Sequence, residues 1–99
     1  MLVHTVLFNL TPGMSEEQIA AFEKDLKSLA TIEAADQCYV GKLADTAKRP
    51  VVQTDWDYML TVILKDVAAH DVYQDHPTHH QFIANQKQFF GQVRVFDAD

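Results

Sequence analysis

Tyr73-Gln74-Asp75-His76-Pro77-Thr78-His79-His80-Gln81-Phe82 sets a proline between two stretches of helical pattern. Proline has no N–H to donate and its fixed φ suits the first turn of a helix, so a second helical piece starts at Pro77. The same ring pushes His76 towards an extended conformation. Upstream, Asp66 can cap a short helix that runs to about Tyr73. Downstream, His79, Phe82, Ile83, Gln86 and Phe90 follow helical spacing and share an inward face. Three of the five histidines of the chain lie in this bend. Imidazoles titrate near neutrality, so the bend gathers proton-moving groups beside an apolar helix face.

The rest of the chain decides what the bend packs against. Leu2 to Leu10 alternates as a strand, with Leu2, His4, Val6, Phe8 and Leu10 pointing one way and Val3, Thr5, Leu7 and Asn9 the other. Thr11-Pro12-Gly13 turns the chain, and Ser15-Glu16-Glu17-Gln18 reads as a capping box. The helix that follows carries Ile19, Phe22, Leu26 and Leu29 on one stripe and ends near Ala30. Ala35 to Lys42 is a second strand, Leu43 to Thr54 a surface loop, and Trp56 to Leu64 a third strand. Trp56 is expected to cap the end of that strand over the core. Val93 to Asp97 closes as a fourth strand, and the Asp97-Ala98-Asp99 run reads as a solvated tail.

The order β-α-β-β-α-β predicts an α+β, ferredoxin-like domain over residues 1–99, with one four-stranded antiparallel sheet. Helices cover one sheet face. The other carries Val3, Thr5, Leu7, Met59, Thr61 and Ile63, and an apolar face of that size calls for a partner. A second copy related by a two-fold axis is the economical one, giving a homodimer joined through its sheets as an α/β barrel.

Composition narrows the function. A net charge of −6 argues against nucleic acid and anionic membrane as partners. A lone cysteine, Cys38, excludes an internal disulfide and fits a reducing compartment. No apolar run approaches the roughly 20 residues of a membrane span. Met1-Leu2-Val3-His4 lacks the marks of a signal peptide, so a cytoplasmic protein is expected. There is no Gly-rich phosphate loop and no His-Glu-x-x-His pattern. Pro77 also breaks the regular spacing that Asp75, His76, His79 and His80 would need to ligate an ion together. No metal and no cofactor are expected.

Each reactive group has a plain structural alternative. His79 is either a neutral base facing inward from a helix start, or an imidazole that bonds a carbonyl and holds the bend. Tyr73 is either a hydrogen-bond donor to a developing oxyanion or a packed aromatic. His76 reads as a brace for the bend and His80 as solvent-facing. His4 reads as a core histidine satisfied by a neighbour, in a position to converge on His79 across a pocket. Cys38 reads as a small apolar strand residue.

The chain resembles the stress-responsive dimeric α/β-barrel (Dabb) family. The resemblance rests on Val3-His4-Thr5-Val6-Leu7-Phe8, the Thr-Pro-Gly turn with Ser15-Glu16-Glu17-Gln18, Asp57-Tyr58, the element Tyr73-x-x-His76-Pro77-x-His79-x-x-Phe82, and the ending Val93-x-Val95-x-Asp97. It implies a homodimer whose sheets pack face to face. Some plant members resemble polyketide cyclases that close a poly-β-keto chain by an aldol step without a cofactor. That likeness implies His79 as base, Tyr73 as its assistant, and a substrate pocket formed by His4, Val6, Phe8, Phe22, Leu60, Phe82 and Phe90. Other members are known as stress-induced proteins, and related ferredoxin-like dimers include cofactor-free monooxygenases and muconolactone-type isomerases. The functional expectation is a small hydrophobic, carbonyl-bearing or aromatic ligand, with proton-transfer chemistry such as cyclisation or isomerisation. A non-catalytic ligand-binding module and a cofactor-free monooxygenase stand as the alternatives.

Overall fold

The alternation of Leu2–Leu10 becomes β1, a central strand of one antiparallel sheet, in a computed structural model that describes residues 1–99. The other elements are α1 (Glu16–Ser28), β2 (Ala35–Lys42), β3 (Tyr58–Leu64), α2 (Val67–Gln74), α3 (Pro77–Gln86) and β4 (Phe90–Ala98). Single 3₁₀ turns, Leu29–Thr31 and Lys87–Phe89, follow α1 and α3. The sheet order is β2-β3-β1-β4. This is the ferredoxin-like β-α-β-β-α-β arrangement, with the second helical segment broken in two at Pro77. No helix is long and apolar enough to cross a membrane.

Local chemistry sets the helix starts. Ser15 Oγ accepts the Gln18 N–H at 3.1 Å, and Gln18 Oε1 accepts the Ser15 N–H at 2.9 Å, so the capping box closes in both directions. Asp66 caps α2 by accepting the Ala69 N–H at 2.8 Å. The core then forms from one face of each element. Phe22 and Leu26 from α1 and Leu29 from the turn after it, with Tyr73 and Phe82 from the bent pair, bury against Val6, Phe8, Leu60, Val62 and Leu64. The opposite sheet face has no helix over it. Val3 pairs with Ile63, Thr5 with Thr61 and Leu7 with Met59. The Thr5 and Thr61 hydroxyls meet at 3.2 Å. Tyr39 and Phe96 flank this row with more than half of their surface exposed.

Three boundaries differ from the sequence expectation. Trp56 and Asp57 lie outside β3. The Asp57 N–H still donates to the Phe8 carbonyl, but its carboxylate accepts the Leu10 N–H at 2.8 Å and ends the ladder. The Trp56 indole donates to the Gln53 carbonyl at 2.8 Å, so it fastens the preceding loop. Phe90 is the first residue of β4 and not part of the helix. The 3₁₀ turn before it keeps its ring on the core.

The longer β4 includes Gly91 beside a register irregularity at Asn9/Leu10. A Cβ at Gly91 would sit 3.0 Å from the Asn9 carbonyl oxygen and 3.3 Å from that of Leu10. Backbone oxygens cannot swing aside as a side-chain end can. Gly91→Ala is therefore expected to lower stability by roughly 1–3 kcal/mol, read as a drop in the urea midpoint at unchanged slope.

Candidate functional site

Strand alternation directs His4, Val6 and Phe8 of β1 and Leu60 of β3 beneath the helices. The bend at Pro77 then lays α3 across them. His76 is extended, at φ −68 and ψ 141, and its Nδ1 accepts the Thr78 N–H at 3.0 Å. His76 thus braces the bend. His80 points outward and meets the Asp75 carboxylate at 3.0 Å. His79, between them in the chain, turns inward.

A cavity of about 140 Å³ opens under this bend. His4, Val6 and Phe8 supply one side, and Leu29, Leu60, Phe82 and Ile83 the apolar depth. Phe90, Val93 and Val95 of β4 also line it, with Val93 and Val95 well exposed at the edge strand. Its polar groups are His4, Gln74 and His79. The volume is close to the ~150 Å³ that holds a single benzene ring in an apolar core cavity.

Burial pushes the His79 imidazole below its ordinary 6.5, and the neighbouring imidazoles of His4, His80 and His70 push the same way. His79 is therefore held neutral, able to accept a proton. Tyr73 packs edge-on against it, ring centres 5.1 Å apart, and against His4 at 5.9 Å. Burial, with a smaller contribution from Cys38, raises the Tyr73 phenol above its ordinary value. It stays protonated, and its hydroxyl is buried without a hydrogen-bond partner. An orphaned buried hydroxyl costs stability. Tyr73→Phe is accordingly expected to raise the denaturation midpoint, by about 1 kcal/mol in stability. A fall in the midpoint would mean that the hydroxyl is satisfied in solution.

The structure brings His4, Val6, Phe8, Leu60, His79, Phe82 and Phe90 together at the cavity. Phe22 does not line it. Phe22 is fully buried behind the wall, where it packs against Phe8 at 5.6 Å and Phe82 at 5.8 Å. Tyr73 likewise stands behind His4 and His79 and not on the cavity surface.

Asp97 is not part of a free tail. It pairs with His4 in the β1–β4 register, and its carboxylate meets His4 Nδ1 at 2.5 Å. So His4 is satisfied by a neighbour and also faces the cavity. Gln74 was missed, and its Nε2 lies 3.4 Å from His4 Nε2. The signal for Asp97 is in the chain: Val93, Val95 and Asp97 alternate onto the face that His4, Val6 and Phe8 share. Gln74 has no such signal, because it ends a short helix one residue past the expected stop.

A model of the Stress responsive A/B Barrel Domain family, Dabb, matches residues 2–99. No curated protein matches the chain in sequence. Solved structures match it over nearly its whole length. A Dabb family protein with a ferredoxin-like fold from Mesorhizobium loti superposes with a TM-score of 0.81 at 22% identity, covering 99% of this chain and 94% of that one. A dimeric ferredoxin-like protein of unknown function from Thermobifida fusca gives 0.78 at 19% identity, covering 98% and 88%. Hydroxynitrile lyase from Passiflora edulis gives 0.80 at 15% identity, covering 98% and 90%.

Proposed function

The chain belongs to the stress-responsive A/B barrel domain family, and from that premise we propose that it is a homodimer that binds a small apolar carbonyl-bearing or aromatic molecule and moves a proton on it. One observation carries the reading: a half-buried, neutral imidazole, His79, faces an apolar cavity the size of one ring. Such a group can take a proton from carbon next to a carbonyl, and the apolar walls keep water from competing. His4, fixed by Asp97, and the Gln74 amide offer polar contacts for the substrate oxygen. Tyr73 holds the His79 ring edge-on and reaches the substrate only if the wall shifts. The step calls on no cofactor. Cyclisation and isomerisation both begin with this proton removal, and a cavity of this volume favours compact substrates over an extended poly-β-keto chain.

Catalysis on this scaffold has support from the hydroxynitrile lyase neighbour. The dimer has support from the dimeric description of the Thermobifida fusca relative and from the bare apolar sheet face.

The test uses phenylacetaldehyde and acetophenone in D₂O, followed by proton NMR. The α-protons should exchange for deuterium faster with protein than with buffer, and the His79 ring signals should shift on addition. Shifts without exchange would leave a binding module and remove the catalytic reading. Neither effect would remove the ligand class as well.

A further inference from the structure

We propose that His4, His70 and Asp97 form a site for a divalent transition ion such as Zn²⁺, at the margin of the cavity. One donor atom from each residue lies within 4.8 Å of the other two. Two imidazoles and a carboxylate are the donor set of borderline ions such as Zn²⁺, Co²⁺ and Ni²⁺, whereas Mg²⁺ and Ca²⁺ prefer oxygen alone. Asp97 is not a free acidic tail, and the part-buried His4–Asp97 pair is the metal-free arrangement that a bound ion would replace. The residues come from three elements: β1, β4 and α2.

The surroundings favour ligation over accident. His4 and Asp97 are register partners on adjacent strands, so two of the three ligands sit on rigid backbone. His70 Nδ1 is tied to the Asp71 carboxylate at 3.1 Å, which leaves its Nε2 as the free donor. A ring nitrogen bonded to a carboxylate is the outer arrangement that orients histidine ligands and raises their basicity. The His4 and His70 rings meet edge to face with centres 5.1 Å apart. Ligands of a tetrahedral ion stand about 3.4 Å apart when each bond is ~2.1 Å. The His4–Asp97 contact of 2.5 Å would therefore open and the wider pairs close. Asp97 has the freedom for this, with 43% of its side chain exposed. Three protein ligands leave a coordination position for water or a ligand oxygen. The carboxylate also brings the negative charge that the cation needs.

The site shares His4, and through it Asp97, with the polar end of the cavity but not the base, since His79 is not among its ligands, so ion binding and proton transfer are tested separately. It also differs from the Asp75, His76, His79 and His80 grouping along the chain. His76 and His80 are already committed there, to Thr78 and Asp75.

The experiment is titration of the chelator-treated full chain with Zn²⁺ by calorimetry, and with Co²⁺ by visible absorption. One ion per chain is expected at micromolar affinity or tighter, with the intense d–d bands of low-coordinate Co²⁺. His70→Ala and Asp97→Asn should each weaken binding by roughly tenfold or more, since losing even an outer partner of a ligand costs that much. Both residues keep part of their side chains exposed, at 20% and 43%, so these variants should stay folded, whereas His4→Ala would empty a buried position. His79→Ala and His80→Ala should bind as the parent does. Absence of saturable binding would overturn the proposal. So would unchanged affinity in both the His70 and Asp97 variants, or loss of binding through His79 or His80 alone.

Discussion

Lysine in place of Met59 should turn a species of about twice the 11.2 kDa chain mass into a folded monomer in sedimentation. Met59 stands on the bare sheet face, opposite Leu7 on β1 and Gly41 on β2. Val3, Ile63 and the exposed Phe96 extend that apolar surface. In a face-to-face dimer the new ammonium would be buried without a partner, at a cost of several kcal/mol. A two-fold axis repeats the penalty in the second subunit, and every ~1.4 kcal/mol is tenfold in the dissociation constant. The fold itself should survive, because Met59 faces away from the core cluster under the helices. Parent protein that sediments as a stable monomer at micromolar concentration would remove the barrel.

His79→Ala should lower kcat on a turned-over substrate by roughly 10²–10⁴-fold, the usual contribution of a general base. The amide NMR spectrum should remain that of the folded parent, since His79 is only half-buried and bonds no neighbour that the fold depends on. A pH profile separates a base from a brace. Catalysis requires neutral His79, so the parent rate should rise with pH through a value below 6.5 and then level off. Stability follows the same sign. The unfolded imidazole takes up a proton at a higher pH than the folded one. The His79 contribution is therefore complete above about pH 6.5 and lost as pH falls through the lower folded value. His79→Ala should flatten that acid loss. If the variant instead unfolds or loses ligand binding along with activity, His79 is a structural residue and the binding-module reading replaces the catalytic one.

The fold was legible because its elements announce themselves locally. Leu2–Leu10 alternates without a break, Ser15 and Gln18 close their box within one turn, and Pro77 suits a helix start but not a helix interior. Each is a property of nearest neighbours along the chain. The misplaced residues are those whose partners lie far away. Trp56 continues the alternation of β3, yet Asp57 diverts the hydrogen bond that would extend the ladder. Phe90 keeps helical phase with Phe82, yet a 3₁₀ turn ends the helix and delivers the same ring from a strand. Phe22 and Val93 trade places at the cavity because depth depends on how α1 and β4 sit on the sheet, which periodicity does not encode. Asp97 reads as an acidic end unless its alternation with Val93 and Val95 is followed, and only the register shows that it stands opposite His4.

The contact between His4 and Asp97 joins residues 93 positions apart. The entropy of closing that loop must be met before the contact rewards it, so contacts of that separation form readily once much of the fold already holds their ends near each other. β1 pairs with both β3 and β4, so its place in the sheet can be held first by β3 while β4 is still free. The cavity wall supplied by Phe90, Val93 and Val95 arrives with β4. During refolding the hydrophobic core can thus precede the site. A probe of the core cluster would report collapse before the His4–Asp97 pairing, and before any ligand can be retained.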